Sequence, residues 1–259
     1  MSVSLEQHAP NNGRSVFHIM GNGSLSTLVY NKILHRLLSG ALGPGQIFNR
    51  RQIAAELGVS VAPVLEAMLQ LRVEGLIEST PRQGTRVRVL TLEDLRGQLI
   101  VREALECQAA RIYCGEPIRR NLKRLAPMAR RIDATDVRSA EHINGEVRFH
   151  HSLVALAGVP TLTAAYERVM KLGLLYAIQV HHPDQAAAVR SDHLELLRAL
   201  STNDADKAEA IMRAHAQAGK EAFFASGQTS TDRLAPESPS WLTSHPRRVR
   251  RRAITRQAR

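Results

Sequence analysis

Cysteine is scarce in this chain: Cys107 and Cys114 are the two it has in 259 residues. Two thiols cannot build a disulfide framework, so a reducing compartment, the cytoplasm, is expected. Aromatic residues are few, at 4%, and the abundance of Ala, Leu and Arg favours helices over sheets. No stretch approaches the roughly 20 consecutive apolar residues that a membrane-crossing helix needs. The polar start also lacks the apolar run of a secretory leader, so no membrane partner is expected. Lysine is nearly absent too, supplying five of the 35 basic side chains.

What is present in excess is arginine, and the formal net charge is +11. Such a balance suggests a polyanionic partner, and the rigid guanidinium fork suits phosphates and guanine edges. Part of the excess lies in the tail "HPRRVRRRAITRQAR", which follows "SGQTSTDRLAPESPS". Both stretches read as unfolded. The chain length allows two domains of ordinary size, each with its own core.

Residues 1–23 carry Asn-Asn-Gly and Gly-Asn-Gly and are expected to form a loose arm. A helical pattern follows in "SLSTLVYNKILHRLLSGAL", with Leu28, Val29, Ile33, Leu37 and Leu38 on one face and glycines closing it. "NRRQIAAEL" is a short second helix ended by the turn glycine Gly58. Ser60 is placed to cap a third helix whose first turn contains Pro63, where a missing N–H costs little. Two short alternating runs flank Pro81-Arg82-Gln83-Gly84 and read as a β-hairpin with a basic tip. Three helices and a hairpin over residues 24–90 make a winged helix-turn-helix, a DNA-binding module. From Thr91 the pattern is helical throughout, opening on a capping-box variant in which Asp94 follows Thr91 by three. Helices are expected near 91–115, 117–132, 136–157, 161–181, 184–201 and 204–224. The fold class is therefore mainly α: a winged helix-turn-helix, then an all-α six-helix bundle over 91–225, then a disordered basic tail over 226–259.

The segment from "LVYNKILHRLL" to "STPRQGTRV" resembles the DNA-binding domain of GntR-family bacterial transcription regulators. The helices after it resemble the FCD effector domain of the FadR subfamily, so the likeness spans about residues 24–225. It implies that the third helix reads DNA, with Ser60, Val61, Ala62, Pro63 and Leu65 at its start. The family usually has arginine where this chain has Val61 and Leu65. Losing two Arg–guanine contacts, each worth about 1–3 kcal/mol, should change or weaken sequence reading. Apolar side chains can still meet thymine methyls. Polar contacts are expected from Arg51, with Arg50 beside it, and from the wing residues Arg82, Gln83, Gly84, Thr85 and Arg86.

In the second domain the resemblance implies a divalent-metal site of Glu146, His150, His193 and His215. Glu146 stands where the family has aspartate, and Phe149 keeps the family's Phe-His pair. Three imidazoles and a carboxylate suit zinc or nickel, with open positions for water or an effector carboxylate. His151, His181 and His182 are read as bystanders. Arg102 matches an arginine that FCD domains direct into the ligand cavity; the alternative is an ion pair with Glu106, four residues on. Tyr176 and Gln179 could line the same cavity, although core packing also accounts for Tyr176. The cysteines, seven apart on one helix, read as small core residues. The expectation is a homodimeric, ligand-responsive transcription regulator that binds a palindromic double-stranded operator and a small organic acid, and that is not an enzyme. Two alternatives are a metal-dependent hydrolase and a metabolite-binding protein with degenerate, non-specific DNA binding.

Overall fold

Ser24 opens the first helix by accepting the N–H of Thr27 on its hydroxyl. In the computed structural model, which describes residues 24–80, 84–136, 139–180 and 192–227, α1 runs from Leu25 to Leu38. It buries Val29, Tyr30, Ile33, Leu34 and Leu37. Leu28, expected on that stripe, faces solvent instead, because the one-and-four spacing from Val29 centres the buried face a residue further on. Helices α2 (Arg50–Leu57) and α3 (Val61–Val73) follow, separated by Gly58 at φ +65°, a left-handed geometry that favours glycine. Ser60 occupies the N-cap of α3, but its hydroxyl makes no cap bond. Pro63, third in the helix, lacks the N–H such a bond would use.

The wing contains one strand more than the sequence suggests. β2 (Ile77–Thr80) and β3 (Gly84–Val87) form the expected hairpin, and β1 (Ile47–Phe48) pairs antiparallel with the other edge of β3. Two residues are too short for an alternation signal to register. The hairpin tip, with Arg82 and Gln83, lies outside the described residues, as do the expected arm, most of the tail, and His181 and His182.

The second domain comprises α4 (Leu92–Tyr113), α5 (Glu116–Ala134), α6 (Ala140–Ala155), α7 (Pro160–Val180), α8 (His193–Leu200) and α9 (Ala205–Gly227). Thr91 and Asp94 make the reciprocal capping box at the start of α4. Helix α8 was expected from 184; residues 184–191 lie outside the described ones, and the helix is seen from His193. Helix α9 extends past the expected domain end at 225. Among the described residues no helix is long and apolar enough to cross a membrane.

Two apolar cores result, and α7 contributes to both. Its first half places Tyr166 and Met170 in the bundle core, beside Phe149, Leu197 and Met212. Its second half places Leu172, Leu175 and Tyr176 in the core of the winged domain, with Tyr30, Leu34 and Leu71. The joint is polar as well. Lys171 Nζ donates to the Tyr30 hydroxyl at 2.8 Å and to Glu74 Oε2 at 3.1 Å, while Tyr30 donates to the same carboxylate oxygen at 2.6 Å. Farther along α7, Gln179 Nε2 donates to the carbonyl of Arg88 and its Oε1 accepts the N–H of Leu90. Tyr176 and Gln179 therefore sit where the DNA-binding head joins the bundle. For Tyr176 this is the core packing that the sequence already favours over a cavity role, and Gln179 is tied to the Arg88 and Leu90 backbone instead. Helical periodicity identifies an inward face but not which of two cores that face meets.

Candidate functional site

Helix α6 carries Glu146 and His150 four residues apart, hence on one face. His193 is the first residue of α8, and His215 comes from the middle of α9. The ligating atoms of His150, His193 and His215 all lie within 4.8 Å of one another. Nε2 of His215 is 3.2 Å from Nε2 of His150. Glu146 joins them, with Oε1 at 2.8 Å from His193 Nε2 and Oε2 at 3.4 Å from His150 Nε2. All four residues expected from the sequence are thus brought together. Phe149 stands edge-on to the rings of His150 and His193, with centroids 5.5 and 5.2 Å away, and closes the apolar side of the cluster.

The outer nitrogens of two rings meet carboxylates. Nδ1 of His193 is 2.7 Å from Asp133 Oδ1. Asp133, at the end of α5, also accepts the backbone N–H groups of His193 and Leu194, and so caps α8 while orienting its first side chain. Nδ1 of His150 is 3.1 Å from Oε1 of the buried Glu106, near enough for charge attraction but without an aligned hydrogen bond. That oxygen accepts from Arg102 Nε at 3.1 Å and from the Tyr166 hydroxyl at 3.0 Å. Carboxylates placed this way fix ring orientation and leave Nε2 as the inward donor, the usual arrangement around a metal-ligating histidine. Asp133 was not singled out from the sequence, and Glu106 was named there only as a partner for Arg102, because each lies more than forty residues from the histidine it faces. Their signal is spatial. His142, one turn before Glu146, is a further neighbour, with Nε2 3.5 Å from Glu146 Oε1.

The electrostatics follow from this packing. Burial alone would raise the Glu146 carboxyl, but the imidazoles of His150 and His193 beside it hold it well below the usual carboxylate range. Burial would likewise raise Glu106, and Arg102 and His150 beside it outweigh that. For His150 burial favours the neutral ring, yet the Glu106 charge wins and lifts it to about 9. Burial and the neighbouring His150 and His193 push His215 down to about 3, leaving an imidazole lone pair at neutral pH. The cluster thus holds an ionised carboxylate, a proton-free imidazole, and His193, whose Nε2 is buried without an aligned hydrogen-bond partner among the described residues. An orphaned buried nitrogen aimed at this donor set fits a divalent transition ion.

Arg102 is placed in the ion pair with Glu106 rather than free in a cavity. His151 pairs with Glu167 at 2.7 Å on the α6–α7 surface, away from the cluster. Cys107 is buried and Cys114 partly so, and both are free thiols.

In the winged head, Arg50 and Arg51 are exposed at the start of α2, where Asn49 caps the helix by accepting the Arg51 N–H at 2.8 Å. Val61, Ala62 and Leu65 are exposed at the start of α3, and Ser60 precedes them at the surface. On β3, Thr85 is hydrogen-bonded to Ser79, and Arg86 is paired with Glu78 across the hairpin at 2.6 Å. The pair is solvent-exposed and worth little, so a phosphate could replace the carboxylate. Gly84, at φ +91°, begins the strand in a conformation that side chains disfavour.

A winged helix-turn-helix fused to an all-α bundle with a buried histidine cluster defines a DNA-binding regulator with a regulatory domain. The family comparisons agree. Residues 25–87 match the gntR family of bacterial regulatory proteins, and residues 99–218 match the FCD domain. The chain belongs to the GntR family and is a transcriptional regulator with an FCD domain. It is 24% identical over 233 residues to the HTH-type transcriptional repressor RspR of Escherichia coli K12, covering 83% of this chain and 94% of that one. It is 28% identical over 205 residues to the "Probable D-xylose utilization operon transcriptional repressor" of Paenarthrobacter nicotinovorans, covering 75% and 87%. The solved structure of E. coli McbR/YncC shares the fold, with TM-score 0.59 at 23% identity over 78% of this chain and 98% of that one. These families and relatives are transcriptional regulators, not enzymes.

Proposed function

We propose that the protein is a homodimeric, ligand-responsive, sequence-specific transcription regulator of the FadR type. Its bundle binds a divalent transition metal and a small organic acid. Glu146, His150, His193 and His215 would hold the ion, of the zinc or nickel kind, and the ion would offer open positions to an effector carboxylate. Asp133 and Glu106 position two of the rings, and Arg102 keeps Glu106 ionised. Two winged heads would meet successive major-groove faces of a palindrome, with Arg50, Arg51 and the wing on phosphates. Effector binding must favour one placement of the heads over another, since equal affinity for both would switch nothing.

The observation that carries this reading is the convergence of three imidazoles within 4.8 Å in a bundle whose helix α7 also packs into the DNA-binding head. Its test is elemental analysis of the purified protein and of His193→Ala. About one ion per chain in the parent, and a clear loss in the variant, is expected. Equal metal content in the two removes the site.

A second reading has its own observation: the start of α3 lacks the charged and amide side chains that usually read bases. On this reading the head grips DNA without choosing a sequence. Titrations on random and on upstream DNA separate the two. Equal affinities with a steep salt dependence favour non-specific binding.

A further inference from the structure

The inward face of α3, Val64, Ala67, Met68 and Leu71, is buried in the core of the head. The exposed side carries an apolar stripe as well. Val61, Leu65, Leu69 and Val73 recur every four residues and are 39%, 50%, 51% and 63% exposed. A helix that is apolar on both sides and water-facing on one asks for a cover. Successive members of the stripe are about 6 Å apart along the axis, close to two base-pair steps of a duplex.

The surroundings indicate what the cover is. Arg50 and Arg51 are exposed on the neighbouring α2, and Arg72 is exposed on α3 itself. An apolar stripe flanked by exposed arginines complements a major groove, where phosphates line the edges and the thymine methyl is the apolar group on the floor. Glu66, the exposed acid on this face, disfavours laying α3 along phosphates and suits the amine edge of cytosine. We propose that Val61, Leu65 and Leu69 read thymine methyl groups, so that thymines rather than guanines define each operator half-site. The proposal rests on the operator-binding function above and names the chemistry that function recognises.

Duplex sites enriched from random DNA by the full-length protein, then remade with deoxyuridine replacing single thymines, test it. The replacement removes the methyl group and keeps base pairing. At two or more positions in each half-site, affinity should fall roughly threefold to fivefold per methyl, in line with the burial of one methyl-sized group. Thymines outside the site should not matter. Leu65→Ala, a surface change compatible with folding, should abolish the penalty at one such position. A defined site at which every replacement changes affinity by less than about twofold overturns the proposal and leaves operator binding standing. Failure to enrich any sequence, with equal binding to random DNA, removes operator reading itself and the proposal with it. Self-association that Leu65→Ala dissolves would assign the stripe to a second copy of the chain and overturn the proposal.

Discussion

The ammonium of Lys171, on the helix shared by both cores, lies 3.1 Å from the carboxylate of Glu74, the residue that ends α3. Both groups are largely buried, and the Tyr30 hydroxyl bridges them. Five residues earlier on the same helix, Tyr166 donates to Glu106, which in turn holds His150. One helix therefore reaches both Glu106, which faces the histidine cluster, and the winged head.

Lys171→Met should destabilise the protein by up to about 3–5 kcal/mol, because it leaves a largely buried carboxylate without its countercharge, held among the described residues by the Tyr30 hydroxyl and Gln70 alone. Urea unfolding measures this. Adding Glu74→Gln should recover part of the loss, since the second change removes the stranded charge. A loss below about 1 kcal/mol, the range of surface pairs, would mean that the joint is open to water in solution.

Gln179→Ala leaves the Leu90 N–H and the Arg88 carbonyl without their side-chain partner at the exit of the wing. The expected cost is about 1–3 kcal/mol, and it should be local. Hydrogen exchange at Leu90 should accelerate while exchange within α4 and α9 stays unchanged. Uniform acceleration across the bundle would contradict a role confined to the joint.

Asp133→Asn keeps the shape of the side chain but removes the charge that orients His193. Metal affinity should fall about tenfold to a hundredfold, the usual range for an outer partner of a ligating histidine. Competition with a chromophoric chelator reads this directly. An unchanged affinity would show that Asp133 serves only to bind the first N–H groups of α8.

Metal uptake should strengthen with pH. His215 is pushed down to about 3 and is already proton-free near neutrality, whereas Glu106 holds the proton on His150 up to about 9. An incoming ion must displace that proton, so affinity should rise by up to about tenfold per pH unit between pH 6.5 and 9 and level off above. The metal-free protein should behave in the opposite sense. The His150–Glu106 charge pair contributes fully below 6.5 and is lost as pH rises through about 9. Affinity that stays flat across this range would place the ion on other ligands.

Features written into neighbouring residues were legible in the sequence. The Thr91–Asp94 box, the turn at Gly58, and the shared face of Glu146 and His150 all depend on spacings of one turn or less. His193 and His215 were reached through family resemblance, because nothing local distinguishes them from other helical histidines. What stayed hidden depends on tertiary placement. Asp133 has no mark beyond being acidic, the spacing of Glu106 points to Arg102 and not to His150, and β1 is too short to show a pattern. That Gln179 ties α7 to the exit of the wing was hidden for one reason: α7 reads as a single amphipathic helix, although its two halves enter different cores.

The central claim is that the state of the histidine cluster decides how the winged heads engage DNA. It is tested most directly by titrating the purified protein onto its own upstream DNA, metal-loaded and after chelation, at fixed salt. The account predicts saturable binding that outcompetes random DNA, with affinity changing by at least about fivefold on metal removal, the lower end of typical allosteric coupling. Failure to bind any fragment at low ionic strength, or identical affinities with and without metal, would contradict it.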